Sequence, residues 1–128
     1  MAPNLLDALR EDRPKKDDDQ VLKIQKNGYI ISVGLNSYSN ESLVQNHPHR
    51  ACLWMHAMAA PGSHVVICIH ERPDPPEEVL QFAGRLALRN SRSEARTVSV
   101  ALLSDLYKPE DVGPGVWKRR KEFSLEVR

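Results

Sequence analysis

A chain of 128 residues accommodates one hydrophobic core of ordinary size and no second. Its 41% apolar and 27% charged residues are ordinary globular usage, which excludes wholesale disorder and fibrous repeats. No stretch reaches the ~18 uninterrupted apolar residues of a membrane helix, and a net charge of +1 leaves nucleic-acid binding to local clusters of charge alone.

Residues 1–20 form a polar arm that carries six acids and four bases, leaving +3 on the body at 21–128. Its Asn4–Leu9 stretch has the composition of a short amphipathic helix, and the arm lacks the basic-then-apolar order of a signal peptide. From Val21 the apolar residues flank Asn27-Gly28, the strongest short hairpin signal in the chain. Gly34 and Asn36 end that hairpin, and Asn40 is placed to cap a short helix through Glu41, Leu43 and Val44 that stops at His47-Pro48-His49. Two apolar runs, 52–58 and 64–69, read as buried strands around the Pro61-Gly62-Ser63 turn. Over 77–90 the spacing is helical: Val79, Leu80, Ala83, Leu86 and Ala87 share one face, opposite Glu78, Gln81, Arg85 and Arg89. Residues 97–103 alternate as a strand, 109–115 form a loop, and 116–128 read as a closing hairpin that offers Val116, Phe123, Leu125 and Val127 to the core. The order β-β-α-β-β-α-β-β-β predicts an α+β domain: a mixed, mostly antiparallel sheet with one main helix and a short second one.

Cys52, His56, His64 and Cys68 form a C-x3-H-x7-H-x3-C pattern of zinc-ligand types. Residues four apart on a strand lie ~13 Å from one another, too far to share an ion bound at ~2.0–2.3 Å, so no metal and no cofactor is expected. Two cysteines are too few for a disulfide framework, and a reducing compartment is the simpler reading. Ser63-His64 lacks the spaced acid and oxyanion donors of a hydrolase; it reads instead as an exposed strand start whose hydroxyl, imidazole and backbone N–H groups suit a phosphate. Arg85, Arg89, Arg92 and Arg96 would form one basic stripe on a helix long enough to hold them. With Lys118, Arg119, Arg120 and Lys121 they give two local positive patches suited to a polyanion. The tyrosines and the two tryptophans are too scattered along the chain to define a stacking platform.

Read together, Gly28-Tyr29-Ile30-Ile31-Ser32-Val33-Gly34, Asn36, Asn40-Glu41-Ser42-Leu43, Leu53-Trp54-Met55-His56-Ala57 and Pro61-Gly62-Ser63-His64-Val65-Val66-Ile67 resemble the NFACT-R domain. That is the RNA-binding domain of the fibronectin-binding-A-like, ribosome quality-control NFACT proteins. The resemblance continues through Pro75-Pro76-Glu77-Glu78, the strand at 97–103, Lys108-Pro109 and Pro114-Gly115-Val116. It implies a standalone, non-catalytic module for tRNA or rRNA on the large ribosomal subunit, and a cytoplasmic, ribosome-associated location, although a processed organellar protein would read the same. By resemblance, Asn36, Asn40, Trp54, His56, Ser63, His64 and Lys108 would face or shape the RNA surface, joined by Arg85, Arg89, Lys118, Arg119 and Arg120. Several polar motif positions differ: Leu35 stands for an arginine, Cys52 for an acid, Ala101-Leu102-Leu103 for Asp-Tyr-Thr, and Tyr107 for a lysine. Losing donors there favours an alternative, in which the domain serves as a protein-binding subunit of an assembly contacted through the arm, with weakened RNA binding.

Overall fold

The computed structural model describes residues 21–58, 61–89 and 96–128. The arm, Arg92 and Ser91 lie outside them. The hairpin forms as expected: β1 (Val21–Lys26) pairs antiparallel with β2 (Tyr29–Gly34). The turn puts Asn27 at φ 51° and Gly28 at φ 85°, the two left-handed positions that a two-residue hairpin of this hand requires.

Helix α1 runs Ser37–Gln45, one turn earlier than Asn40 capping would allow. Its N-cap is Asn36, whose Oδ1 accepts from the Ser39 N–H at 2.8 Å while the Ser39 hydroxyl accepts from the Asn36 N–H at 2.9 Å. That reciprocal box satisfies two donors the first turn would otherwise leave open. Asn36→Ala is expected to cost about 1 kcal/mol of stability in urea denaturation.

Strands β3 (Leu53–Ala57) and β4 (Val65–Ile67) follow, then α2 (Glu77–Leu88), β5 (Thr97–Leu102), a 3-10 turn (Leu103–Asp105), β6 (Leu106–Tyr107), β7 (Lys118–Arg119) and β8 (Phe123–Glu126). The main sheet has the order β1-β2-β4-β3-β5-β8, and β6 and β7 form a separate ribbon. Every pairing among the described residues is antiparallel, so the mostly antiparallel expectation holds and its mixed component does not.

Alternation along the strands gives the sheet two apolar faces. Ile31, Val33, Met55, Val65, Ile67 and Val98 meet Val79, Ala83 and Ala87 of α2 on one face. Trp54, Val66, Cys52 and Ala101 meet Leu43 and Val44 of α1 and Leu103 and Leu106 on the other. A fold with a helix on each side of one sheet thus buries the apolar residues of both faces.

The tail departs from the closing hairpin. β7 pairs with β6 and β8 with β5, so the two halves of 116–128 enter different sheets. Val127 reaches the core and Leu125 packs against it, whereas Val116 is 47% and Phe123 64% exposed. The basic stripe is also broken. Helix α2 ends at Leu88, and Arg96 instead donates its Nε–H to the Val127 carbonyl at 3.1 Å.

Candidate nucleic-acid interface

The hairpin formed by β3 and β4 folds the C-x3-H-x7-H-x3-C pattern onto itself. Its register pairs Leu53 with Ile67, Trp54 with Val66 and Met55 with Val65. Continued one residue each way, it sets His56 opposite His64 and Cys52 opposite Cys68. The imidazoles are in contact, with ring centroids 4.6 Å apart. The cysteines meet at the other end of the same face, so the four residues form two separate pairs.

His64 is 3% and Ser63 4% exposed, which corrects the reading of an exposed strand start. The cause lies in what covers them. Trp54, 1% exposed, donates its indole N–H to His64 Nδ1 at 3.0 Å. An indole nitrogen only donates, so Nδ1 must be an acceptor and the ring proton sits on Nε2. The imidazole also hydrogen-bonds the Gly115 backbone, which brings the 113–116 loop down on it. Burial, reinforced by His56, Arg119 and Lys108, drives the His64 pKa down to about 3. His56 is lowered as well, first by burial and then by Arg119. Both rings are therefore neutral near pH 7.

Gly34 and Asn40 complete the join between β2, α1 and β4. Asn40 Oδ1 accepts from the His64 N–H at 3.2 Å, and the Gly34 N–H donates to the His64 carbonyl at 2.9 Å. A Cβ on Gly34 would lie 1.9 Å from Asn40 Oδ1, so only glycine permits this approach.

Lys108 is occupied. Its ammonium donates to Glu41 Oε1 at 2.7 Å, the Gly113 carbonyl at 2.9 Å and the Val116 carbonyl at 3.2 Å, which uses all three of its protons. Glu41 also accepts from the Gly115 N–H at 2.8 Å. Lys108 and Glu41 thus fasten the loop to α1.

Between the loop, the start of α1 and the β3–β4 turn lies an open cleft of about 610 Å³. Asn36, Asn40, Trp54, His56, Ser63, His64 and Arg119 line it together with Leu35, Gly115 and Trp117. Arg119 lies 5.3 Å from the Trp54 ring centroid, a cation over an aromatic face, and Lys108 lies 5.1 Å from that of Trp117. Arg119 also bonds Glu122 at 2.9 Å and the Trp117 carbonyl at 3.2 Å. Alternation along β7 leaves Lys118 and Arg120 exposed, with Arg120 over the Tyr107 ring at 5.5 Å.

Arg85 and Arg89 stand elsewhere. They are exposed on and just beyond α2, which covers the opposite face of the sheet from Trp54. The two basic patches do not merge.

The sequence reading passed over Trp117 and Glu41. Both tryptophans reach one cleft although 63 residues separate them. The indole N–H of Trp117 is buried without a hydrogen-bond partner among the described residues. Glu41 was legible only as a helix residue.

Residues 20–113 match the family described as the NFACT protein RNA binding domain. Residues 114–128, which include the basic β7, lie beyond that match. A protein of Streptococcus suis named Rqc2 homolog RqcH is 36% identical over 101 residues, covering 77% of this chain and 18% of its own. Its Bacillus subtilis namesake is 32% identical over 91 residues, covering 69% and 15%. The chain therefore spans less than a fifth of these relatives' length. Among solved structures, the C-terminal part of the fibronectin/fibrinogen-binding protein from Streptococcus suis superposes with a TM-score of 0.73 at 34% identity, over 82% of this chain and 43% of that one. The motif residues quoted from the sequence, the cleft they line and this extent of match agree: the chain belongs to the NFACT RNA-binding domain family.

Proposed function

We propose that the domain binds structured RNA, tRNA or rRNA of the large ribosomal subunit, non-catalytically, along the β6–β7 ribbon and into the cleft beside it. One observation carries this reading. Residues 106–121 hold five cations against two acids, a net +3 equal to the excess of the whole body, and they border the cleft. The exposed Lys118, Arg120 and Lys121 supply charge for phosphates. The buried, unpartnered N–H of Trp117 and the polar edge of His56 supply donors and acceptors within the cleft. Asn36, Asn40, Ser63, His64 and Lys108 shape the cleft from beneath, and its contact atoms are those of His56, Trp117 and Arg119. The setting is a ribosome-associated one in the cytoplasm.

Binding of tRNA to the full chain, followed by fluorescence anisotropy across a salt series, tests this. The log of affinity is expected to fall linearly with log salt. Reversing Lys118, Arg120 and Lys121 to Glu should weaken binding roughly 30-fold or more and lower the slope by about one per contacting cation. Arg85→Glu with Arg89→Glu, on the far face, should change affinity less than about threefold. No measurable binding at low salt, or equal losses from both sets, would sink the proposal.

The protein-binding alternative has one observation in its favour. Leu102 and Phe123 are exposed at 37% and 64% on one face of the β5–β8 pair, since Phe123 stands opposite Val100. An apolar corner of this kind suits a protein partner. Weak, salt-insensitive RNA binding would favour it.

A further inference from the structure

Cys52 and Cys68 take no part in the cleft, and both are free thiols. The β3–β4 register places them directly opposite each other. Their backbone groups reveal the kind of pair. The Cys52 N–H donates to the His49 carbonyl at 3.3 Å, its carbonyl accepts from the Leu103 N–H at 2.9 Å, and the Cys68 N–H donates to the Ile30 carbonyl at 2.9 Å. None of these groups is directed at the opposite cysteine. This is therefore the narrow, non-hydrogen-bonded kind of antiparallel pair, with Cα atoms about 4.5 Å apart. That separation falls inside the ~4.4–6.8 Å window of a disulfide. Both side chains project to the α1 face, and the two thiols are hydrogen-bonded to each other.

Their accessibility is unequal. Cys52 is fully buried, its thiol pushed up chiefly by burial and its sulfur accepting from the Ile69 N–H at 3.4 Å. Cys68 is half-buried and lines an open cleft of about 230 Å³ beside Lys23, His47 and His49. A small reagent reaches Cys68 first, and a basic neighbour such as Lys23 favours its thiolate.

We propose that Cys52 and Cys68 form a reversible dithiol–disulfide pair that exchanges with small-molecule disulfides of the glutathione type, Cys68 attacking first. In the first step the Cys68 thiolate attacks one sulfur of the small disulfide, forms a mixed disulfide and expels one small thiolate. In the second, the Cys52 thiolate attacks the Cys68 sulfur, closes the cross-strand bond and expels the other small thiolate. The protein's two thiols give up two electrons and two protons, and the small disulfide leaves as two thiols. This site lies at the opposite end of β3 and β4 from His56 and His64 and does not depend on the RNA reading.

The native full chain is equilibrated in buffers graded from reduced to oxidised glutathione, free thiols are trapped by alkylation, and intact mass is read. The expected product is a monomer that has lost two hydrogens and resists alkylation, half-formed at a reproducible ratio and restored by reductant. Cys52→Ala should stop as a glutathione adduct on Cys68, and Cys68→Ala should stay unmodified. Two alkylatable thiols at the most oxidised ratio would overturn the proposal. So would a persistent adduct on the native chain, or a bond between two chains. If either variant fails to fold by circular dichroism, the native titration decides alone.

Discussion

Lowering the pH from 7 to 4 is expected to remove on the order of 3 kcal/mol of stability through His64 alone. The folded-state pKa of about 3 lies well below the ordinary 6.5. Between those values the unfolded chain binds a proton that the folded chain refuses, so stability is complete above about 6.5 and declines as pH falls toward 3, by about 1.4 kcal/mol per unit in the middle of that window. The refusal has a structural cause: Nδ1 is committed as acceptor to Trp54, and the site is buried. His56 and His47 are also lowered chiefly by burial and act in the same direction. Glu122 is lowered by the Ser99 hydroxyl and Arg119, so its contribution is lost only below the carboxylate range. Urea denaturation of the native chain and of His64→Gln at pH 7, 6, 5 and 4 provides the measurement. Glutamine can still accept from Trp54 and donate to Gly115 but does not titrate, so its profile should be flatter by the His64 share. Parallel profiles would show that the ring is not held neutral.

Gly34→Ala is expected to cost roughly 3–5 kcal/mol, a large part of the ~5–15 kcal/mol that holds a domain of this kind together. The added Cβ would meet Asn40 at its side-chain oxygen (1.9 Å), its Cγ (2.9 Å) and its Cα (3.0 Å). A rotamer change relieves the first two contacts and leaves the third, which is backbone. Moving the side chain also takes the acceptor from the His64 N–H, adding an unpaired buried donor to the steric cost. Thermal denaturation should show a Tm lowered by ten degrees or more on the order-of-magnitude scale for a domain this size. Adding Asn40→Ala should recover part of the loss, because it removes the clash but not the orphaned N–H. A single variant within 1 kcal/mol of the native chain would mean that β2 and α1 do not approach this closely.

Both results concern the ring of contacts under the cleft, and the sequence disclosed only part of it. Asn27-Gly28, the 3.6-residue period of α2 and the alternation in β5 are carried by neighbouring residues, so hairpin, helix and strand were legible before any fold was known. The motif spacing from Gly28 to Val116 likewise pointed to the family. Local patterns said less where two candidates lay close together. Asn36 and Asn40 are both good caps, and which one starts α1 depends on Asn40 being engaged by His64 across 24 residues.

The amino-acid order by itself determined the strands, the two helices, the family and the residue types that line the cleft, because turn chemistry and periodicity act over a few residues. Tertiary structure alone decided that His64 is buried and neutral, that Lys108 is tied to Glu41 and the loop, that β7 and β8 part into two sheets, and that Arg85 and Arg89 lie away from Arg119. It also made a zinc-like spacing into a histidine pair and a cysteine pair at opposite ends of one hairpin. In each case the outcome is set by which strand lies beside which and in what register, a property of long-range pairing that no short window of sequence contains.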